Sequence, residues 1–214
     1  MNTIILNGSP KGNVEKCGSY FLAQAFVSGM GQPCEIRSIA KEDAASLIKY
    51  IESFDRIIII TPNYIHAVPG PVIRFLGMLP PAGDSERSFG FIIQSGYPEA
   101  AESEIISRYF ANLMRQLNYD YLGTVIKGEC AGLAIMPGMF KKLAKKFAAF
   151  GKDYEQTGSF SEKYIKKFAE PYELSKSAVW RLNMMDKIGV SRIGWNKMQK
   201  AHGGYEHRLD RPFL

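Results

Sequence analysis

The chain has 214 residues, of which 46% are hydrophobic and 22% charged, and its net charge is +6. This is the composition of an ordinary soluble globular protein, with length for one good core and an extension and none for two full domains. The charge is uneven: residues 1–136 hold 11 Lys+Arg against 13 Asp+Glu, whereas residues 137–214 hold 16 against 8.

The basic character therefore belongs to the C-terminal part alone. A nucleic-acid patch, a membrane-surface helix and a solvated lysine face all fit such a segment. The solvated face is the commonest of the three, and neither nucleic acid nor a membrane is the expected partner. The opening Met1-Asn2-Thr3-Ile4-Ile5-Leu6-Asn7-Gly8 has no basic leader and does not read as a signal peptide. The most apolar run, Ile57 to Ile60, is far too short to span a bilayer. Cys17, Cys34 and Cys130 are scattered, with no C-x-x-C pair, and read as reduced thiols of a cytoplasmic protein.

Strand and helix signals alternate over the first 150 residues. Thr3 to Asn7 is a short apolar run ending at Gly8-Ser9-Pro10, a buried strand leading into a loop. Phe21, Leu22, Ala25 and Phe26 recur at helical spacing up to Gly29. Cys34 to Ile39 is a second strand candidate, and Ala44 to Ile51 a helix with Leu47, Ile48 and Ile51 on one side. Arg56 to Thr61 is the clearest strand, β-branched and continuous, as expected of a central parallel strand covered on both faces. Ser88 to Gln94 begins the fourth unit. Its helix carries a stripe of Ile105, Ile106, Tyr109, Phe110, Leu113, Met114 and Leu117. Tyr121 to Ile126 is a fifth strand. The helix after it sets Phe140, Leu143, Ala144 and Phe147 opposite Lys141, Lys142, Lys145 and Lys146. Strands separated by helices imply parallel pairing through right-handed crossovers.

Beyond Gly151 the pattern changes. Residues 152–214 offer two helical stretches, Ser161 to Ala169 and Ser177 to Ile188, then a polar tail. The expected organisation is an α/β domain over 1–151 and a helical C-terminal extension over 152–214.

Ligands of a doubly wound sheet bind at the carboxyl ends of its strands, where strand order reverses. Loop one, Gly8 to Ser19, feeds directly into a helix and carries hydroxyls, small residues and Lys11. Such a loop suits a phosphate, since N–H groups and the helix N-terminus favour an anion. A plain strand–helix turn capped by Ser19 fits it too. The spacings G-x-x-x-x-G-K-[ST] and G-x-G-x-x-G are absent, which excludes a Walker A loop and a dinucleotide fingerprint. Loop three, Thr61 to Pro71, combines three prolines with Asn63-Tyr64. It suits the rigid wall that a flat conjugated ring requires, although Tyr64 packing on the next helix is the simpler alternative. Loop four, Gln94 to Glu99, adds Gly96, which admits close backbone approach, and Tyr97.

Gly8-Ser9-Pro10-Lys11, Cys17-Gly18-Ser19, and Thr61-Pro62-Asn63-Tyr64 with Pro69 to Leu76 resemble the NADPH-dependent FMN reductase family of the flavodoxin-like superfamily. The resemblance covers about the first 130 residues. It implies a flavodoxin-like, doubly wound, five-stranded parallel sheet in the order 2-1-3-4-5. It implies that Ser9, Lys11, Gly18 and Ser19 hold the FMN phosphate. It further implies that Pro62, Asn63, Tyr64 and Ile65 line the ribityl chain and isoalloxazine, with Ser95, Gly96 and Tyr97 closing the ring's other side. Members often show Ser-Asn-Thr where this chain has Cys17-Gly18-Ser19, and the compact cysteine cluster of related iron–sulfur flavoproteins is missing.

The activity expected from the resemblance is hydride transfer from NAD(P)H through FMN to a small acceptor: a quinone, a nitro or azo compound, or free flavin. The cofactor carries that chemistry, so no acid–base dyad is required. His66, inside loop three, can approach the flavin or a substrate, or be an ordinary loop histidine. Cys130 reads as a small buried thiol at the same end of the sheet. His202 and His207 lie in the tail without carboxylate or Cys partners at useful spacing, and no metal site is expected. The rivals are a flavodoxin-type electron carrier, a class typically strongly acidic, and a flavin-free scaffold with a partner-binding basic arm. Trp180 and Trp195, both in the extension, point to packing against something, and a homodimer is the expected assembly.

Overall fold

The computed structural model describes residues 2–211. The strands are β1 (Thr3–Asn7), β2 (Glu35–Ser38), β3 (Arg56–Pro62), β4 (Ser88–Gln94) and β5 (Asp120–Lys127). The helices between them are α1 (Gly18–Val27), α2 (Ala44–Ile51), α3 (Gly70–Gly77) and α4 (Glu104–Leu117), followed by α5 (Lys141–Thr157) and α6 (Glu162–Phe168). All four strand pairings are parallel and the order is β2-β1-β3-β4-β5, as the resemblance implies.

The period-two geometry of strands splits the apolar residues into two cores. Ile57 and Ile59 of β3 point to the side of α2, α3 and α4, where Leu47, Phe75 and Phe110 are buried with them. Ile58 and Ile60 point to the other side, where Phe26 of α1 and Phe147 and Phe150 of α5 wait. A strand apolar at every position is what this two-sided burial selects.

The organisation around residue 151 differs from the expected one. The boundary at 151 falls inside α5, and the compact unit runs on to Glu173. Tyr154, Phe160, Tyr164 and Phe168 are buried in the second core, so the stretch beyond Gly151 completes a layer of the domain. Gly151 is no break in the helix. It is the point where α5 crosses α1: a Cβ there would run into the Phe26 carbonyl, and one at Gly29 into the Ala148 carbonyl. The stripe on α4 is also divided, since Ile106, Phe110 and Met114 are buried while Ile105 and Tyr109 stand exposed.

The second unit begins at Leu174. It holds α7 (Lys176–Lys187) and α8 (Val190–Ala201), so the stretch read as polar tail contains a further helix. His207, read as lacking a carboxylate partner, has Asp210 Oδ2 at 2.8 Å from Nδ1. No residue of α7 is buried. Among the described residues no helix is long and apolar enough to cross a membrane.

The α1–α5 crossing predicts that Gly151→Ala, a good change for an isolated helix, destabilises this one by about 1–3 kcal/mol, because backbone must move to admit the methyl group. Urea denaturation checks it; an unchanged or raised midpoint would mean that the helices separate at little cost.

Candidate functional site

The chain leaves β1 for β2 on one side and returns through β3 on the other, so loops one and three diverge from a strand-order reversal. Gly8 extends the β1–β3 ladder by one bond, N–H to the Ile60 carbonyl at 2.8 Å. A Cβ at Gly8 would come within 2.7 Å of Val72 Cγ2 and 2.9 Å of Thr61 Cβ, so only glycine lets the two loops start this close together.

Asn7, fully buried at the end of β1, organises loop one. Its Nδ2 donates to the Gly12 carbonyl at 2.9 Å and to Asn13 Oδ1 at 3.0 Å, and its Oδ1 accepts from Ser9 N–H at 3.0 Å. Lys11 Nζ donates to the Lys16 carbonyl at 3.3 Å, holding the ammonium over the loop. The helix begins one residue before Ser19: Cys17 is the N-cap and makes no side-chain capping bond. The first-turn N–H groups of α1 therefore lack a side-chain partner there and remain suited to an anion.

Loop three turns back on itself. Tyr64 N–H donates to the Ala67 carbonyl at 2.8 Å and Ala67 N–H to the Tyr64 carbonyl at 3.3 Å. Between them Ile65 and His66 have φ of 52° and 62°. Two successive positive φ values are those of a type I′ turn, which Asn-Gly adopts readily and a β-branched residue does not. The strain, about 1–3 kcal/mol per residue, is held by the neighbours of His66. Its Nδ1 lies 3.0 Å from the Glu102 carbonyl and 3.4 Å from Glu102 Oε2, and its ring stacks on Tyr97 at 5.9 Å and 6°. The Glu102 carbonyl also accepts from Asn63 Nδ2 at 3.2 Å, and the same amide donates to Ser103 Oγ at 2.9 Å. One short turn, Ala101–Ser103, thus anchors the start of loop three at Asn63 and its turn at His66.

Loop four is tied to the segment after β5: Glu129 N–H donates to the Tyr97 carbonyl and Cys130 N–H to the Ser95 carbonyl, each at 2.8 Å. Together these loops enclose a cavity of about 160 Å³. Of the residues singled out in the sequence, Ser9, Lys11, Gly18, Pro62, Asn63, Tyr64, Ser95 and Gly96 line it. Ser19 lies fully buried beside Gly18. Ile65 points away at the tip of loop three, 82% exposed, and Tyr97 stands against His66 instead of the cavity. Gln94, Ala131 and Ala134 also line the cavity and were missed, and so does Cys130. Of these, Cys130 and Ala131 lie in the glycine-bounded run Gly128 to Gly132, the sequence signal for this segment. Among the described residues, four buried side-chain oxygens at this end of the sheet have no hydrogen-bond partner: Ser38 Oγ at the end of β2, and Ser19 Oγ, Asn63 Oδ1 and Ser95 Oγ on the loops and helix start about the cavity. A buried polar atom left unpaired costs about 1–3 kcal/mol, and a group of such atoms about neighbouring loops suits a polar ligand.

No family model matches the chain, and comparison with curated proteins finds no match. Solved structures do match. An NADPH-quinone reductase from P. pentosaceus is 15% identical, with a TM-score of 0.54 over 71% of this chain and 98% of that one. An FMN-dependent NADH-azoreductase from Bacillus anthracis, in complex with FMN, is 12% identical, with a TM-score of 0.55 over 72% of this chain and all of its own length. The general stress protein 14 from Treponema denticola, also in complex with FMN, is 15% identical, with a TM-score of 0.54 over 73% and 98%.

The fold is flavodoxin-like. At these identities the likeness is one of architecture, and any function comes from the loops.

Burial pushes the Cys130 thiol up to about 12, with Lys127 opposing only in part, and Cys34 up to about 11 through burial and then Glu35. A thiol with a raised pKa is protonated at every pH below it, so neither supplies a nucleophile near neutrality. At pH 8, alkylation of the native chain is expected to leave Cys130 unmodified while a small thiol reacts to completion, and unfolding in urea to expose it. Peptide mass spectrometry reads the outcome; rapid native labelling would place Cys130 in a reactive setting.

Proposed function

We propose that the chain is an FMN-dependent NAD(P)H oxidoreductase acting on a small acceptor such as a quinone, a nitro or azo compound, or free flavin. The observation that carries this reading is the set of unpaired buried oxygens on Ser19, Asn63 and Ser95 around the carboxyl ends of the strands. A flavin phosphate and ribityl chain, rich in hydroxyls and oxygens, would satisfy such atoms. The uncapped first turn of α1 supports the same reading, as do flavodoxin-like neighbours whose names state a quinone reductase and an azoreductase.

In this reading Ser9, Lys11, Gly18 and Ser19 hold the phosphate, with Lys11 turning from the Lys16 carbonyl to a better charge-assisted partner. Pro62, Asn63 and Tyr64 wall one side of the ribityl chain and ring, and Ser95 and Gly96 the other. Ile65 and Tyr97 belong to the rim. The cavity is smaller than most sites for ligands of this size, so the ring extends over that rim and keeps one face open. Bound FMN would supply the hydride relay, accepting from nicotinamide and giving to the acceptor in turn. The protein's share is to orient the ring and leave the exchange face open. The basic net charge weighs against the electron-carrier alternative.

Titration of FMN and riboflavin into the wild-type chain and Lys11→Ala tests this. FMN is expected to bind more tightly than riboflavin. Loss of the Lys11 contact is expected to cost about 1.5–3 kcal/mol, or one to two decades of FMN affinity, and to leave riboflavin unchanged. Equal affinity for the two ligands in the wild type would overturn the phosphate assignment.

The assembly proposed with this activity is a homodimer. The supporting observation is α7, which buries nothing: Trp180 is 63% exposed, and Val179, Leu182, Met184, Met185 and Ile188 are exposed around it. A helix apolar on several sides is ordinarily covered. Both tryptophans lie in this unit, so their emission reports its burial. Sizing is expected to give a dimer, with emission shifting to the red on dilution. A chain that sizes as a monomer at all concentrations would exclude the dimer.

A further inference from the structure

His66 is held in a way that an ordinary loop histidine is not. The chain accepts two adjacent left-handed residues, one of them isoleucine, to set its imidazole between Tyr97 and Glu102. Strain of this kind persists where the placement is used. The Glu102 carbonyl can only accept, so the 3.0 Å contact requires a proton on Nδ1. That assigns the tautomer: in the neutral ring Nε2 carries the lone pair, and in the charged ring it carries a second, outward N–H. Among the described residues Nε2 has no hydrogen-bond partner, and the side chain is about half exposed. Glu102 Oε2, 3.4 Å from Nδ1, backs the ring with a negative charge. An imidazole oriented at one nitrogen by a fixed acceptor and open at the other is the arrangement of a proton donor and acceptor.

Its surroundings say what it can serve. On one side, loop three carries Asn63 and Tyr64 into the candidate flavin cavity. On the other lies a depression of about 270 Å³ lined by His66, Val68, Ile73, Ile105, Ile106 and Tyr109. Apart from His66 and the Tyr109 hydroxyl, the side chains of that lining are hydrocarbon. An apolar acceptor seated on this surface has His66 and the Tyr109 hydroxyl as the proton-bearing groups of its lining, and of the two only His66 is oriented by a fixed acceptor.

We propose that His66 is a catalytic residue that protonates the acceptor, and that the acceptors favoured are apolar compounds whose two-electron reduction consumes a proton, quinones above all. The proposal rests on the flavin reading above. Hydride delivered to one carbonyl oxygen of a p-quinone forms an O–H bond, and the electron pair moves through the ring to the opposite oxygen. That oxygen takes the proton from Nε2 as the Nε2–H bond breaks. The quinone is reduced to hydroquinone, NAD(P)H is oxidised through the flavin, and the neutral imidazole regains its proton from water. Glu102 is a positioning residue, since it acts through His66.

Two measurements on the full-length chain test this. In the first, FMN-loaded wild type and His66→Gln are compared with 1,4-naphthoquinone and with ferricyanide, a one-electron acceptor that takes no proton. The quinone-to-ferricyanide turnover ratio is expected to fall by roughly 10²–10⁴-fold, the usual worth of a general acid. A ratio changed less than about threefold, whether both rates fall together or neither does, overturns the proposal. The second measurement needs no flavin and no variant. The side-chain ¹⁵N shifts of His66 in the flavin-free wild type are expected to show the Nδ1–H tautomer; the Nε2–H form, which free histidine prefers, overturns the proposal. A chain that retains no flavin absorbance fails the flavin reading itself, an outcome distinct from either result on His66, and takes the proposal down with it.

Discussion

The pairing of β1 with β3 is the contact on which the rest of the molecule depends. Five residue pairs, from Thr3 with Arg56 to Asn7 with Ile60, put two apolar strands side by side at the centre of the sheet. Both are sealed on each face, Ile4 and Leu6 on one side and Ile5 on the other. This pair is where strand order reverses, so loops one and three must leave it in opposite directions and open a crevice. Gly8 prolongs the ladder past the strand and admits Val72 and Thr61 against its backbone. With any side chain at Gly8, the loop carrying the proposed phosphate contacts would be pushed away from the loop carrying the proposed ring contacts.

Around that crevice the polar side chains fall into two kinds. Asn7 is saturated by loop one itself and acts as an internal strut. Ser19, Ser95 and the Asn63 carbonyl oxygen are buried and unpaired. Saturated groups hold loops in shape, and unsatisfied ones await a partner. Asn63 belongs to both kinds, its amide nitrogen bound to the Glu102 carbonyl and Ser103 hydroxyl and its oxygen left over. In the proposed reading it connects the loop scaffold to the ligand. His66 uses the same main-chain carbonyl as Asn63, so the site proper and its outer rim share one anchor, and a shift of the Ala101–Ser103 backbone would be felt at both.

The helical layers divide at a place that composition does not mark. α5 and α6 seal the second core through Phe147, Phe150, Tyr164 and Phe168, each ring centroid lying 4.5–6.4 Å from at least two of the others. The lysines of these helices face solvent, as the sequence pattern suggested. α7 and α8 form a separate unit with net positive charge and exposed tryptophans. The same basic signature thus covers two situations: a solvated outer face on a buried layer, and a separate helical unit that carries exposed apolar side chains.

The alternation of apolar strands with amphipathic helices was legible residue by residue. α2 spans the stretch read for it, and β3 runs one residue beyond its own, because burial on two faces demands a continuous β-branched run and burial on one demands a 3.6-residue stripe. Eight of the eleven proposed cofactor residues line one cavity because loops after parallel strands all emerge at the same end of a sheet. Other features needed the folded chain. Gly151 reads as a stop in one dimension and is a helix crossing in three, since nothing in the sequence says that Phe26 will approach it. The half-apolar face of α4 cannot be split into buried and exposed parts without knowing where loop three ends. Ile65 and His66 gave no turn signal, because neither favours positive φ; their conformation is imposed by Glu102 and Tyr97, both distant in sequence. Local pattern determined the elements and the end of the sheet where chemistry can occur, because those follow from short-range periodicity. Which side chains meet there, which oxygens are left unpaired and which nitrogen of His66 faces outward were decided by long-range packing alone.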